Sequence, residues 1–152
     1  MVNYLYQFVI CFLVSFFIGF SLKTNLKVSL FGGLAGGLGY LVYLLCPDAR
    51  IGYFLSTIVI TLCSEILARL CKIPANNFLI LAVYPLVPGT ALYQTAAYAV
   101  QGKYEQALQS GGDALVFIIL MTIAIALVPT IFRILSGEPV ISKRKPLNYS
   151  ED

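Results

Sequence analysis

Thr90, Tyr93 and Gln94, each able to hydrogen-bond a small solute, follow directly on a helix-breaking pair in Tyr84-Pro85-Leu86-Val87-Pro88-Gly89-Thr90-Ala91-Leu92-Tyr93. That order has a chemical use. A helix that starts after Pro88-Gly89 presents free backbone amides at its N-terminus. Amides there, with the helix dipole, attract a carboxylate. Thr90, Tyr93 and Gln94 would orient the rest of a small polar acid, with Tyr84 and Tyr93 flanking the break. The competing reading of the two tyrosines is packing between helices, each phenol bonded to a neighbour.

Ionisable residues are few. Glu65 and Arg69 stand four apart with the acid first, the favourable order for a helical ion pair. An acid about one and a half turns inside an apolar run pairs, snorkels or marks an ion path. The pair therefore reads either as an interfacial salt bridge or as a proton-coupling or substrate gate that opens when it breaks. Asp113 ends Ser110-Gly111-Gly112-Asp113 just before the last apolar run and is expected to be an N-cap. If that helix instead begins near Tyr104, then Glu105, Gln106, Gln109 and Asp113 would line a polar outer vestibule. Asp113 is the second, weaker candidate for proton coupling.

Other chemistry is excluded or poorly supported. The chain has no histidine, which removes imidazole relays and His-based metal sites. It has no dinucleotide turn, P-loop, or Ser/His/Asp set. It also lacks paired aspartates within apolar runs and a serine–lysine dyad, so an enzyme is not expected, nor is a cofactor or metal. Cys11, Cys46, Cys63 and Cys71 form no CxxC pair and read as small apolar fillers.

The elements that must position these residues are membrane spans. Hydrophobic residues make up 59% of the chain and charged ones 11%, against roughly a quarter charged in soluble domains. Mean hydropathy is +0.87. A spanning helix needs about 20 apolar residues, and five runs qualify: Leu5–Leu22, Val28–Leu45, Ile51–Leu70, Phe78–Val100 and Ala114–Leu135. The first lacks a basic lead and is too long for a usual signal core, so it is read as retained. The expected fold is thus an all-α polytopic membrane protein, with a five-span domain over 1–135 and a polar cytoplasmic tail over 136–152. Lys23, Lys27, Arg69, Lys72, Arg133, Lys143, Arg144 and Lys145 fall on one side of this layout, and only Arg50 and Lys103 on the other. The positive-inside rule then puts the N-terminus outside and the C-terminus in the cytoplasm. The basic residues sit between apolar runs and form no nucleic-acid patch. Without tryptophan, Tyr4, Tyr6, Tyr43, Tyr53, Tyr98 and Tyr104 are expected to supply the outer interfacial belt.

The fourth span is expected to be broken at Pro85 and Pro88-Gly89. Each proline removes a backbone donor and crowds the carbonyl four residues back. In hydrocarbon the freed groups must be buried in protein or line a wet cavity, as unwound backbone does at the midplane sites of transporters. Span two carries Gly32, Gly33, Gly36, Gly37 and Gly39 in overlapping GxxxG frames, which let backbones approach closely. That face reads as tight packing against span four or a partner, or as a sliding surface. Thr57, Thr61, Ser64 and Ala68 make one small, polar stripe on span three that should face into the bundle. Pro129 should kink span five, as a hinge or a tolerated bend.

The span-four stretch Tyr84–Tyr93 resembles the P-x-x-P-G-x-x-x-Y signature of the threonine/serine exporter (ThrE) family. Glu65-Ile66-Leu67-Ala68-Arg69 followed by Pro74 is similar to the acidic-Ala-Arg then Pro segment before it, and the glycine-rich second span also fits. The likeness covers most of Leu5 to Leu135. It implies a multi-pass subunit in a bacterial cytoplasmic membrane, similar to the short second half of a split exporter. The partner it implies is a larger membrane subunit supplying five spans. The implied activity is proton-coupled export of small polar metabolites of the threonine and serine type, with small dicarboxylates as an alternative substrate. A first half running from inside to outside requires a second half running back. The charge count gives that sense, and the two halves would form an inverted pseudo-repeat. The expected machine binds a small amino or carboxylic acid at the break. Glu65, or less strongly Asp113, takes part in proton coupling, and partner contacts run through the glycine face. The rival expectation is a non-transporting structural or assembly subunit of that partner.

Overall fold

The computed structural model describes residues 4–135, and every regular element among them is helical. The helices are α1 (Tyr4–Ser21), α2 (Leu26–Leu45), α3 (Ala49–Cys71), α4 (Ala75–Val83), α5 (Gly89–Val100) and α6 (Tyr104–Leu135), with a 3-10 turn at Tyr84–Leu86 between α4 and α5. Four of them, α1, α2, α3 and α6, are long and apolar enough to cross a membrane, and α4 and α5 pass that test together as a bent pair, either a broken span or a re-entrant loop. The tail from Ser136, with Lys143, Arg144 and Lys145, lies outside the described residues.

Short, specific turns close the bundle. Lys23 takes a left-handed φ of 53°, and the Thr24 hydroxyl donates to the Gly19 carbonyl at 2.9 Å and meets Ser29 Oγ at 2.9 Å. Asp48 caps α3 by accepting from the Arg50 amide at 2.8 Å. At the other end of α3, Lys72 turns left-handed and returns its amide to the Ala68 carbonyl. Pro74 then cannot continue the helix and opens α4.

α2 sits at the centre, packed against α1, α3 and α4, while α3 also packs on α6. The expected glycine face is filled from within the chain. A methyl added at Gly32 would meet Leu81, at Gly33 and Gly37 the rings of Phe12 and Phe8, and at Gly39 the side chain of Ile60. At Gly36 it would come 2.8 Å from Ser15 Oγ and 3.0 Å from the Ala82 carbonyl oxygen. The expectation that partner contacts run through these glycines is therefore corrected: α1, α3 and α4 already occupy that face. The polar stripe of α3 does look inward. Thr57, Thr61 and Ser64 are buried, and their hydroxyls donate back to the carbonyls of Tyr53, Thr57 and Ile60 at 2.7 to 2.8 Å. This back-bonding satisfies them without a partner helix.

Two expectations shift. Tyr53 is buried, stacked on Phe117 and in tilted contact with Tyr43, with ring centroids 4.4 and 4.9 Å away, so it belongs to the core rather than to an interfacial belt. The last helix begins at Tyr104, ten residues before the expected Ala114, after a turn in which Gly102 has a φ of 74°. Asp113 is thus inside α6 and is no N-cap. Gly111 and Gly112 signalled a break, but isolated glycines only weaken a helix, by about 1 kcal/mol each. Here Gly111 faces Thr95 of α5, where an added methyl would come to 3.2 Å.

Candidate functional site: a broken span between two polar clefts

The break forms as the prolines require. α4 tightens into the 3-10 turn, where the Val87 amide reaches the Tyr84 carbonyl at 3.4 Å, and α5 leaves at 51° to the first half. Leu86 and Pro88 are buried and anchor the turn. The Gly89 amide bonds to the Val87 carbonyl at 2.7 Å, and Leu92 returns to Pro88 at 3.2 Å. The amides of Thr90 and Ala91 fall in the first turn of α5, where a helix has no internal acceptor for them.

The surroundings of the break differ from a closed pocket. α5 contains no buried residue and packs on α6, without comparable contact to α1–α4. Thr90 and Gln94 are exposed, as are Tyr84 at 52% and Tyr93 at 74%. An added methyl at Gly89 would meet nothing within 4 Å. The signature residues are therefore grouped by the break, with Pro88 buried, Pro85 half-buried, and Tyr84, Gly89, Thr90 and Tyr93 exposed. One side-chain bond fixes the arm: Ser110 Oγ on α6 donates to the Ala91 carbonyl at 2.9 Å.

Gln94 also belongs to a second grouping. With Tyr98, Gln106, Gln109, Ser110 and Asp113 it lines a polar cleft of about 290 Å³ between α5 and α6. This matches the vestibule alternative, except that Glu105 lines a separate depression with Gly102 and Lys103. At its edge Asp113 pairs with Arg50 of α3 at 3.7 Å. The sequence reading missed this pair, although Arg50 and Asp113 directly precede the expected third and fifth spans with opposite charges.

Glu65 and Arg69 sit elsewhere. Between Arg50 and Arg69, α3 rises about 28 Å at 1.5 Å per residue, so the two ionic groupings lie at opposite ends of the bundle. Glu65 and Arg69 line a cleft of about 590 Å³ between α3, the start of α4 and α6, with Thr61, Ser64, Asn76 and Pro129. The Arg69 guanidinium stands 5.0 Å over the Phe132 ring, close enough for a cation–π contact. Pro74 entered the sequence reading only through the segment Glu65–Arg69 followed by Pro74, and Asn76 was not singled out. The signal available was a proline opening a helix three positions after the end of the arginine-bearing α3. Among the described residues no group of three or more His, Cys, Asp and Glu side chains could hold a metal ion.

No curated protein and no solved structure matches the chain. The family model described as "Threonine/Serine exporter, ThrE" matches residues 7–131, a stretch that contains the glycine-rich helix, the Glu65–Arg69 segment, the broken span and most of α6. With apolar helices of spanning length around a proline-broken one, and with that match across most of its length, the chain belongs to the threonine/serine exporter family.

Proposed function

We propose that this chain is one membrane subunit of a two-part secondary exporter of small polar metabolites, of the threonine and serine type, in a bacterial cytoplasmic membrane. It spans five times, with α4 and α5 as one broken span, the N-terminus outside and residues 136–152 as a cytoplasmic tail. A substrate carboxylate meets the amides that open α5, and Thr90, Tyr93 and Gln94 orient the remainder. Glu65 with Arg69 serves proton coupling or gating on the cytoplasmic side, and Asp113 with Arg50 closes the outer side.

The observation that carries this reading is the openness of the break. A helix start with unbonded amides and exposed Thr90, Tyr93 and Gln94 is poorly suited to bare lipid, because unsatisfied backbone groups cost several kcal/mol each there. A larger membrane subunit laid against α5 would complete the site. The glycine face, being filled internally, is not that surface. Efflux of threonine and serine from preloaded cells expressing this chain, a candidate five-span partner, or both, tests the proposal. Efflux is expected only with both. Equal efflux by the partner alone would refute a transport role and favour the structural-subunit reading. Efflux of dicarboxylates in place of amino acids would replace the substrate class.

A further inference from the structure

The larger cleft lies away from the break and combines both signs of charge with backbone groups freed by two prolines. Glu65 and Arg69 are one turn apart on α3, so their side chains are neighbours. Pro129 has no N–H to offer the Ile125 carbonyl, and both residues are in the lining. Pro74 opens α4, and Ala75 and Asn76, also in the lining, hold first-turn amides with no intrahelical acceptor. Thr61 and Ser64 spend their hydroxyl protons on the carbonyls of Thr57 and Ile60, at 2.8 Å each, and keep acceptor lone pairs. The cleft is therefore lined by donors at Arg69 and the α4 start, and by acceptors at Glu65 and the freed carbonyl.

A simple anion here would meet Glu65, and a simple cation would meet Arg69. A ligand carrying both charges on groups attached to one carbon complements both. We infer that this cleft is a second binding site, for the zwitterionic head of a free α-amino acid. The carboxylate sits at Arg69 and the α4 amides, and the ammonium at Glu65. The volume, about 590 Å³, lies within the range of small-molecule sites, roughly 300–1,000 Å³. The inference rests on the amino-acid reading above and adds a loading position to it. From Ala75 to Tyr84, α4 rises about 14 Å, so one short helix links this cleft to the break. Glu65 can hold a proton or the ammonium, not both, which gives the proposed coupling a physical form.

The test is binding of radiolabelled L-serine to the purified full-length chain in lipid nanodiscs, with D-glycerate, which lacks the ammonium, and L-serinamide, which lacks the carboxylate, as competitors. Saturable serine binding is expected, with weak competition from either analogue. Charged hydrogen bonds of this kind support a loss of about tenfold or more in serine affinity for both Glu65→Gln and Arg69→Gln. Glycerate affinity should hold or rise in Glu65→Gln, and serinamide affinity should hold in Arg69→Gln. Absence of saturable binding by the wild type would overturn the site, as would serine affinity unchanged in either variant. Glycerate competing as well as serine, with Glu65→Gln binding both more tightly, would mark a plain anion site for carboxylate or lipid phosphate and also overturn it. The competition pattern needs only the wild type, so a misfolded variant does not block the decision. Efflux without cleft binding would sink this inference alone. Cleft binding without efflux would sink the transport reading and leave the cleft standing.

Discussion

The glycines of α2 and the glycine of α5 stand in opposite surroundings. Gly32, Gly33, Gly36, Gly37 and Gly39 are each pressed against another helix, whereas Gly89 has open space where a side chain would go. Both are small residues at helix positions in one chain, yet the first set is consumed by packing and the second is not. Lipid gives helices no hydrophobic reason to associate, so close van der Waals approach must hold α1 to α4 together. The α5 arm has one helix beside it and keeps its polar side chains exposed. The contrast separates residues that build the bundle from residues left for something outside it.

The sharpest way to break that contrast is Gly36→Leu. Its first side-chain atom would already lie 3.0 Å from the Ala82 carbonyl oxygen and 3.2 Å from its Cα, which are backbone atoms that cannot swing away. Overpacking of this kind costs about 1–3 kcal/mol or more, so a clear drop in thermal unfolding temperature in detergent is expected. An unchanged unfolding temperature would show that α2 and α4 do not rely on this approach.

Gly89→Leu is the mirror experiment. The site has room, so the unfolding temperature should stay near wild type while efflux with the partner is lost. Full efflux would remove the break as the substrate site, and a large destabilisation would mean that α5 packs more tightly than its surroundings here indicate.

Ser110→Ala probes the attachment of the arm. It removes the bond from Ser110 to the Ala91 carbonyl, 2.9 Å long, a contribution of about 0.5–1.5 kcal/mol. Faster amide hydrogen exchange confined to Gly89–Val100 is expected, with α2 and α3 unchanged. Exchange raised equally throughout would dissolve the distinction between arm and bundle.

The smallest effect should come from Arg50→Ala. Its side chain is 64% exposed and that of Asp113 46%, at 3.7 Å, and exposed pairs contribute about 0–1 kcal/mol. A double-mutant cycle with Asp113→Asn should give a coupling in that range for stability. A coupling of several kcal/mol would make this pair a structural clamp.

Much of the fold was legible because membrane helices announce themselves by composition. The first three spans came within two residues of α1, α2 and α3 at both ends, and the break at Pro85 and Pro88-Gly89 follows from the missing donors of proline. The inward stripe of Thr57, Thr61 and Ser64 follows from helical spacing. The start of α6 was not legible. Ser110-Gly111-Gly112-Asp113 has the local look of a cap, and only Gly111 against Thr95 and Ser110 against Ala91 show why the helix runs through it. Tyr53 was misplaced for a similar reason. A tyrosine near a span end fits an interfacial belt, and whether it turns outward depends on neighbours such as Phe117 that are distant in sequence.

By itself the sequence determined that the chain is helical and membrane-embedded, where its fourth span breaks, and which small and polar residues had to matter. Those properties are local, set by apolar run length, by proline's missing N–H and by side-chain size. Only the tertiary structure decided that the α2 glycines are spent inside the chain, that α5 stands against α6 with its polar face open, and that Glu65 and Arg69 share a cleft with the start of α4 and Pro129. Those are contacts between elements far apart in sequence, and which side chain fills which gap is fixed only when helix faces meet.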